Sequence, residues 1–383
     1  IAFANQVNPI GALTASDTRT WTDVDGNGLP FDAAGNIQLN ELTASASTPT
    51  FGKLTVPTTQ YSPDLLNGWG KRGYNTEYTI AAQHQVANGV SINGGYYRRA
   101  FGNDTFTDDL RYDQSSYDSF CITVPSDPDL PNGGNYQVCG VQDLKPAVFA
   151  QNLPANSLIR YTEDFGGTTN LYQGYDLNLE GRFKGGAFLR GGIAATARTF
   201  DNCNLIKAGL DAVVTATSQG TETYPDGSNS CHREYGYRPD AKFSGSYPLP
   251  FNIQLAGTYQ FSRGIQNGGA GPSLNASWAV TSATASTIGA RAWTGVASRT
   301  VNLFREGSNY GKYNLNQLDL KVSRRFTVDK VKLRVDFDLY NVFNSSWPYT
   351  VTTTYSNAAT SQWQRPTNVL QSRFFKLGGQ ISF

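Results

Sequence analysis

The segment TWTDVDGNG at residues 20–28 sets Asp23, Asp25 and Asn27 at alternate positions and puts Gly28 directly after them. These are positions 1, 3, 5 and 6 of a calcium-loop pattern, in which short oxygen-bearing side chains wrap one hard cation and glycine permits the bend. The twelfth position, where the helix–loop–helix form of the motif carries a bidentate Glu, is Ala34 here. A calcium ion held by Asp23, Asp25 and Asn27 therefore needs Asp32, Glu41 or backbone carbonyls to complete its shell. The competing reading is an Asp/Asn/Gly turn cluster that binds nothing.

Catalytic chemistry has little else to draw on. The chain has two histidines, His84 and His232, and neither sits in a nucleophile elbow, an H-E-x-x-H helix or a phosphate-binding loop. No enzyme is expected. The four cysteines, Cys121, Cys139, Cys203 and Cys231, lie in two Gly/Pro/Asp/Asn-rich segments without the CxxC spacing of a zinc site. They read as disulfides formed in an oxidising compartment. Pairing of neighbours, Cys121 with Cys139 and Cys203 with Cys231, closes one loop each; the other two connectivities and free thiols are the alternatives.

What positions these residues is a β framework. With 31 Lys plus Arg against 30 Asp plus Glu the chain is nearly neutral, so no global field draws it to nucleic acid. Aromatic residues make up 13% and glycines number 39, a balance that favours strands and tight turns over helices. No apolar run approaches the roughly 18 residues of a transmembrane helix. A mean hydropathy of -0.40 does not weigh against a membrane β-barrel, whose strands are apolar on one face only. The chain contains no Met and opens on Ile1, so it reads as a processed or partial product.

Alternation is the decisive signal. Tyr175, Leu177, Leu179, Gly181 and Phe183 alternate with Asp176, Asn178, Glu180 and Arg182, and Val331, Leu333, Val335, Phe337 and Leu339 alternate with Lys332, Arg334, Asp336 and Asp338. The same period predicts strands near 74–86, 90–100, 171–183, 187–198, 235–247, 251–262, 315–326, 331–341 and 373–383, with a tenth strand or a loop at 273–280. Each is about 11 to 13 residues, long enough to cross a bilayer at a tilt. Asn88-Gly89, Lys184 to Gly186, Pro248-Leu249-Pro250 and Thr327 to Lys330 read as tight turns. Between the hairpins lie long polar segments near 101–170, 199–234, 263–314 and 342–372. Short turns alternating with long loops is the outer-membrane barrel pattern, with turns in the periplasm and loops outside. Asp176, Glu180, Arg182, Arg190, Asp240, Lys242, Asp319, Lys321, Arg334, Asp336 and Asp338 then face the lumen, most of them as solvated pairs of mixed sign and a minority lining a ligand path.

The chain finishes on RFFKLGGQISF, with Phe375, Leu377, Ile381 and Phe383 on the apolar side of a strand that reads as the barrel-closing strand. The stretch RVDFDLYNVFNSSWPYT, followed by WQRPTNVLQSRFFKLGGQISF, resembles the final hairpin of TonB-dependent outer-membrane receptors. LLNGWGKRGYNTEYTIAAQHQVANGVSINGGYYRRAFGN, FCITVPSDPDLPNGGNYQVCG and LNQLDLKVSRRF are similar to segments of the Oar-like subgroup, which carries an N-terminal carboxypeptidase-regulatory-like domain. The resemblance implies a plugged barrel of about 22 strands, of which this chain would hold roughly the last two fifths. Its plug and TonB-contacting segment would lie in the missing N-terminal part. No ligand residue carries over, because specificity in that family comes from plug and loops.

The expected architecture is thus an all-β transmembrane antiparallel barrel segment at 74–383, preceded by an extracellular loop region at 1–73. The expected function is solute uptake at the bacterial outer membrane. Its partners would be lipid, the rest of the same receptor, the TonB energy-coupling complex through that part, and the barrel-assembly machinery through the last strand. The alternatives are a structural or adhesive protein displaying large loops, and a complete ten-stranded pore or enzyme. A segment of a larger barrel should not close on itself, so its first and last strands would remain open edges.

Overall fold

The structure, a computed structural model, describes residues 13, 16, 18–42, 52–53, 58–210, 221–264, 266–267, 273–274, 277–307, 313–352, 355–357 and 362–383. The chain is all-β, and no helix among the described residues is long and apolar enough to cross a membrane. It divides into two compact units. One comprises Ile1–Arg72, Phe106–Arg111 and Leu153–Arg160; the other comprises Gly73–Thr105, Tyr112–Asn152 and Tyr161–Phe383.

The larger unit is built on a nine-stranded sheet: β1 (Tyr74–Ala87), β2 (Val90–Gly102), β3 (Thr169–Arg182), β4 (Phe188–Asp201), β5 (His232–Leu249), β6 (Ile253–Ser262), β7 (Leu315–Val328), β8 (Val331–Tyr340) and β9 (Phe374–Ser382). Every neighbouring pair is antiparallel and the spatial order is the chain order. The nine alternating segments of the sequence are these nine strands. At about 3.3 Å per residue, the 14 residues of β3 run about 46 Å and rise about 33 Å if tilted by 45°. β1 and β9 are the two edges of the sheet and are not paired with each other among the described residues.

Tight turns join the strands at one end. Gly89 has a φ of 79°, and a Cβ there would overlap the Arg182 carbonyl oxygen, so the Asn88-Gly89 turn needs its glycine. The third turn differs from the expected Pro248-Leu249-Pro250. β5 continues to Leu249, paired with Ile253, and the reversal is made by Pro250 with Phe251 and Asn252 in left-handed conformations. Pro248 is tolerated in the strand because it lies beyond Ser246, the last β5 residue paired with β4, so its missing N–H breaks no ladder bond on that side.

At the opposite end the four long connections fold together rather than trailing as loops. Short hairpins pair Tyr117–Thr123 with Gln137–Leu144, Ser277–Thr281 with Ser298–Asn302 and Pro348–Val351 with Pro366–Val369. The candidate tenth strand at 273–280 is divided between two small sheets, Ser273–Leu274 pairing with Gln266–Asn267 and Ser277–Thr281 with Ser298–Asn302, and its described residues do not join the large one. Ile122, Val141, Trp278, Trp293, Val301, Leu303, Tyr355 and Trp363 form one buried cluster drawn from three of these connections, and Tyr224 joins it from the fourth. This layer holds the main apolar core of the chain, while the long strands supply little of it.

In the smaller unit, short strands Thr59–Tyr61, 157–160 and 106–109 form a three-stranded sheet. Its N-terminal part is held by isolated bridges between Trp21 and Leu42 and between Phe31 and Ile37.

Candidate functional site

The register of the large sheet sorts its side chains into two chemically distinct faces. Leu177 lies opposite Ile193, Leu255 opposite Val322, Val322 opposite Phe337 and Phe337 opposite Leu377, which makes a continuous apolar band across the strands. These side chains are exposed: Ile80 by 74% and Leu377 by 68%, whereas Asp336 and Asp338 on the other face are exposed by only 6% and 8%. On β8 burial is inverted relative to a water-soluble sheet, while on β1, β3 and β4 polar-face residues such as Gln83, Asn178, Glu180 and Arg190 are exposed too. Phe375 and Ile381 belong to the exposed band, and Phe383 follows β9 fully exposed.

The polar face is paired internally. Lys321 Nζ lies 3.2 Å from Asp338 and 3.6 Å from Asp336, and Arg334 Nε donates to Asp336 at 3.0 Å. Arg182 pairs with Glu180 at 3.0 Å, Arg99 with Glu77, and Arg190 donates to Ser244 at 3.2 Å. Asn178 donates to Asp176, and Asp319 accepts from Gln317 and from the Asn341 N–H. An open cavity of about 750 Å³ is lined by Gln83, Asn93, Glu180, Arg190, Lys242 and Thr258, one residue from each of β1 to β6, with Leu179 and Phe243 also in its wall. Asp240, on the same face, completes the set of charged residues that alternation placed there.

In the layer of long connections the disulfides are Cys121–Cys139 and Cys203–Cys231. The first staples the Tyr117–Thr123 hairpin at its bulge, and the second ties the start and end of the connection between β4 and β5. His232, expected in a loop, is the first residue of β5, with Nδ1 2.8 Å from Asp201 Oδ2. His84 lies within β1 opposite Ile92. Two buried acids that the sequence did not single out knit the layer together. Asp143, fully buried, accepts from Arg291 and from Arg299 Nε at 2.7 Å. Glu222, also fully buried, accepts from Asn302 N at 3.1 Å and Asn302 Nδ2 at 3.3 Å. Burial outweighs these bonds and pushes the Glu222 carboxyl up to about 8. No local pattern marks either residue, because each owes its partners to segments distant in the chain.

The calcium-like loop lies in the smaller unit. Asp23 accepts the N–H of Gly26 at 2.7 Å and of Gly28 at 2.9 Å. Asp25 accepts from Asn27 N at 3.0 Å and from Gln38 Nε2 at 2.7 Å, which holds its carboxyl below the usual range, the Gln38 bond contributing most. Glu41 is brought in by the Thr22 N–H bond to its carbonyl, at 2.8 Å. Carboxylate oxygens of Asp23, Asp25 and Glu41 then lie within 4.8 Å of one another. Asn27 turns its Nδ2 toward Asp25, while its Oδ1 accepts the Leu29 N–H at 2.6 Å, so it braces Asp25. Asp32 caps a separate turn, accepting from Ala34 and Asn36.

No protein-family model matches the chain, and no curated protein matches it.

Proposed function

We propose that this chain is a membrane-spanning arc of a β-barrel in the bacterial outer membrane, the C-terminal barrel part of an Oar-like TonB-dependent receptor that takes up a scarce solute. The observation that carries this is the exposed apolar face of the nine-stranded sheet. A band containing Ile80, Leu177, Ile193, Val335, Phe337 and Leu377 is exposed while Asp336 and Asp338 are buried. Water-soluble monomers rarely expose apolar patches beyond a few hundred Å², and lipid is the solvent for which such a face is suited. Further support comes from the segregation of tight turns and long connections to opposite ends, and from the open cavity lined by polar residues of six strands.

The open edges at β1 and β9 fit an arc whose neighbours lie in the rest of the receptor, since unpaired N–H and C=O groups cost several kcal/mol each in hydrocarbon. Energy coupling through TonB and insertion through the barrel-assembly machinery belong to the same proposal and rest on the resemblance of the final hairpin. The test is fractionation of cells carrying the native gene, followed by solute-uptake assays in a deletion strain. Recovery in the detergent-extracted outer membrane and loss of uptake of one solute class is the expected result. Recovery in the soluble fraction would sink the membrane assignment.

A second reading has its own observation. The long connections are a folded, disulfide-stapled layer with a buried aromatic core, which suits a display or attachment surface as well as a ligand gate. Intact uptake with lost surface attachment on deletion would favour it.

A further inference from the structure

We propose that the smaller unit binds one calcium ion through Asp23, Asp25 and Glu41. The cluster alone would be only three acids near a turn. The independent observation is Glu41 itself, which is 2% exposed and has one oxygen, Oε2, buried without a hydrogen-bond partner. Its other oxygen, Oε1, is engaged by the N–H groups of Val24 at 2.9 Å and Asp25 at 3.3 Å, which fixes the carboxylate against the loop that carries the other two acids.

A buried carboxylate oxygen with no donor is unfavourable, and native structures satisfy such atoms. No basic side chain does so here: among the described residues none of the three acids is ion-paired. Three like charges with oxygens within 4.8 Å of one another repel unless a cation lies between them. Ca2+ takes oxygens at about 2.3–2.6 Å in irregular geometry, so two of its ligands lie up to about 5 Å apart, and this spacing fits a single ion. Asp25 Oδ2 is taken up by Asn27 Nδ2 and Gln38 Nε2, whereas Asp25 Oδ1 and both Asp23 oxygens accept one N–H each and keep a second lone pair for the metal. Glu41 supplies the carboxylate that the sequence lacks at Ala34, from seven residues further along. Asn27 and Gln38 sit behind Asp25 and orient it, as outer partners of metal ligands do. The site is independent of the transport proposal, since it lies in the other unit and needs no membrane.

The test is a calorimetric titration of the full, chelator-stripped chain in detergent with Ca2+ alone, backed by Tb3+ luminescence excited through Trp21. One ion per chain is expected, with a dissociation constant of the order of 0.1–1 mM, the range of extracellular calcium modules. E41Q keeps the size of the side chain and its Oε1 contacts and should weaken binding at least tenfold. D25N, at an exposed position where folding is not at risk, should do the same, and W21F should remove the sensitised Tb3+ emission. D32N, an acid of the adjacent turn outside the cluster, should leave affinity unchanged. Absence of saturable binding would overturn the proposal. So would binding that survives D25N or E41Q, or binding weakened as much by D32N, which would indicate diffuse attraction to an acidic loop.

Discussion

Ser323 donates its hydroxyl to Asp336 at 2.6 Å across the β7–β8 pair, on the face opposite the exposed Val335. One step along β8 thus separates a buried, hydrogen-bonded acid from an apolar side chain left 43% exposed. This contrast ranks the effects of substitutions.

Val335→Arg and Leu177→Arg should each destabilise the folded protein in lipid by roughly 2–4 kcal/mol, the range for a cation on the lipid face near the midplane. Asp336→Ala should cost about 1–3 kcal/mol, because Ser323, Lys321 and Arg334 lose their shared partner. Asn178→Ser, at an exposed polar position, should stay within about 0.5 kcal/mol. Denaturant unfolding in vesicles reads all four, and arginine tolerated at Val335 but not at Asn178 would reverse the assignment of the faces.

The disulfides close sequence separations of 18 and 28 residues, for which chain entropy accounts for about 3 kcal/mol each. Both lie outside the nine-stranded sheet's ladder. Reduction should therefore raise hydrogen exchange in 117–144 and 202–231 while leaving β3, β4 and β8 protected. Non-reducing peptide mapping should recover only the two neighbour links.

Glu222 should make the layer of long connections less stable as pH rises. Its folded pKa, raised by burial to about 8, lies above the unfolded value of 4.5. Below pH 4.5 the group is protonated in both states and carries no penalty. Between 4.5 and about 8 only the unfolded chain ionises, and stability falls by up to about 1.4 kcal/mol per pH unit. Above about 8 the loss levels off. Glu222→Gln should flatten this slope, measured as exchange protection of 221–231 between pH 4 and 9; an unchanged slope would show that Glu222 is not its source.

Asp143 sits between two guanidinium groups, and Arg299 beside it is 8% exposed. Asp143→Ala would leave Arg299 buried and unpaired, at a cost of about 3–5 kcal/mol. Asp143→Ala combined with Arg299→Met should recover part of that loss. A thermal melt followed by tryptophan fluorescence tests this directly, since Trp293 and Trp278 pack in the same core.

Strand number, the alternating faces and the segregation of short and long connections were legible in the chain; strand length was less so, since β5 runs 18 residues and β9 nine where about 11 to 13 were expected. A pleated strand turns successive side chains to opposite sides, so a period of two survives in the sequence whatever the tertiary partners are. The Asn-Gly and Gly-Gly turns were legible for a similarly local reason, since left-handed backbone selects those residues. The Pro248 turn was misplaced because Phe251, ahead of Asn252, took a left-handed conformation that its residue type does not announce. What the tertiary structure alone decided lies in contacts between distant segments. It gathered Trp278, Trp293, Tyr355 and Trp363 into one core, paired Asp143 with Arg291 and Arg299, and buried Glu222 against Asn302. It also selected Glu41, rather than Asp32, to stand beside Asp23 and Asp25. None of these contacts repeats with any period along the chain. Each exists because the strands bring the ends of four connections together, or because a bridge such as that between Trp21 and Leu42 closes a segment back on itself.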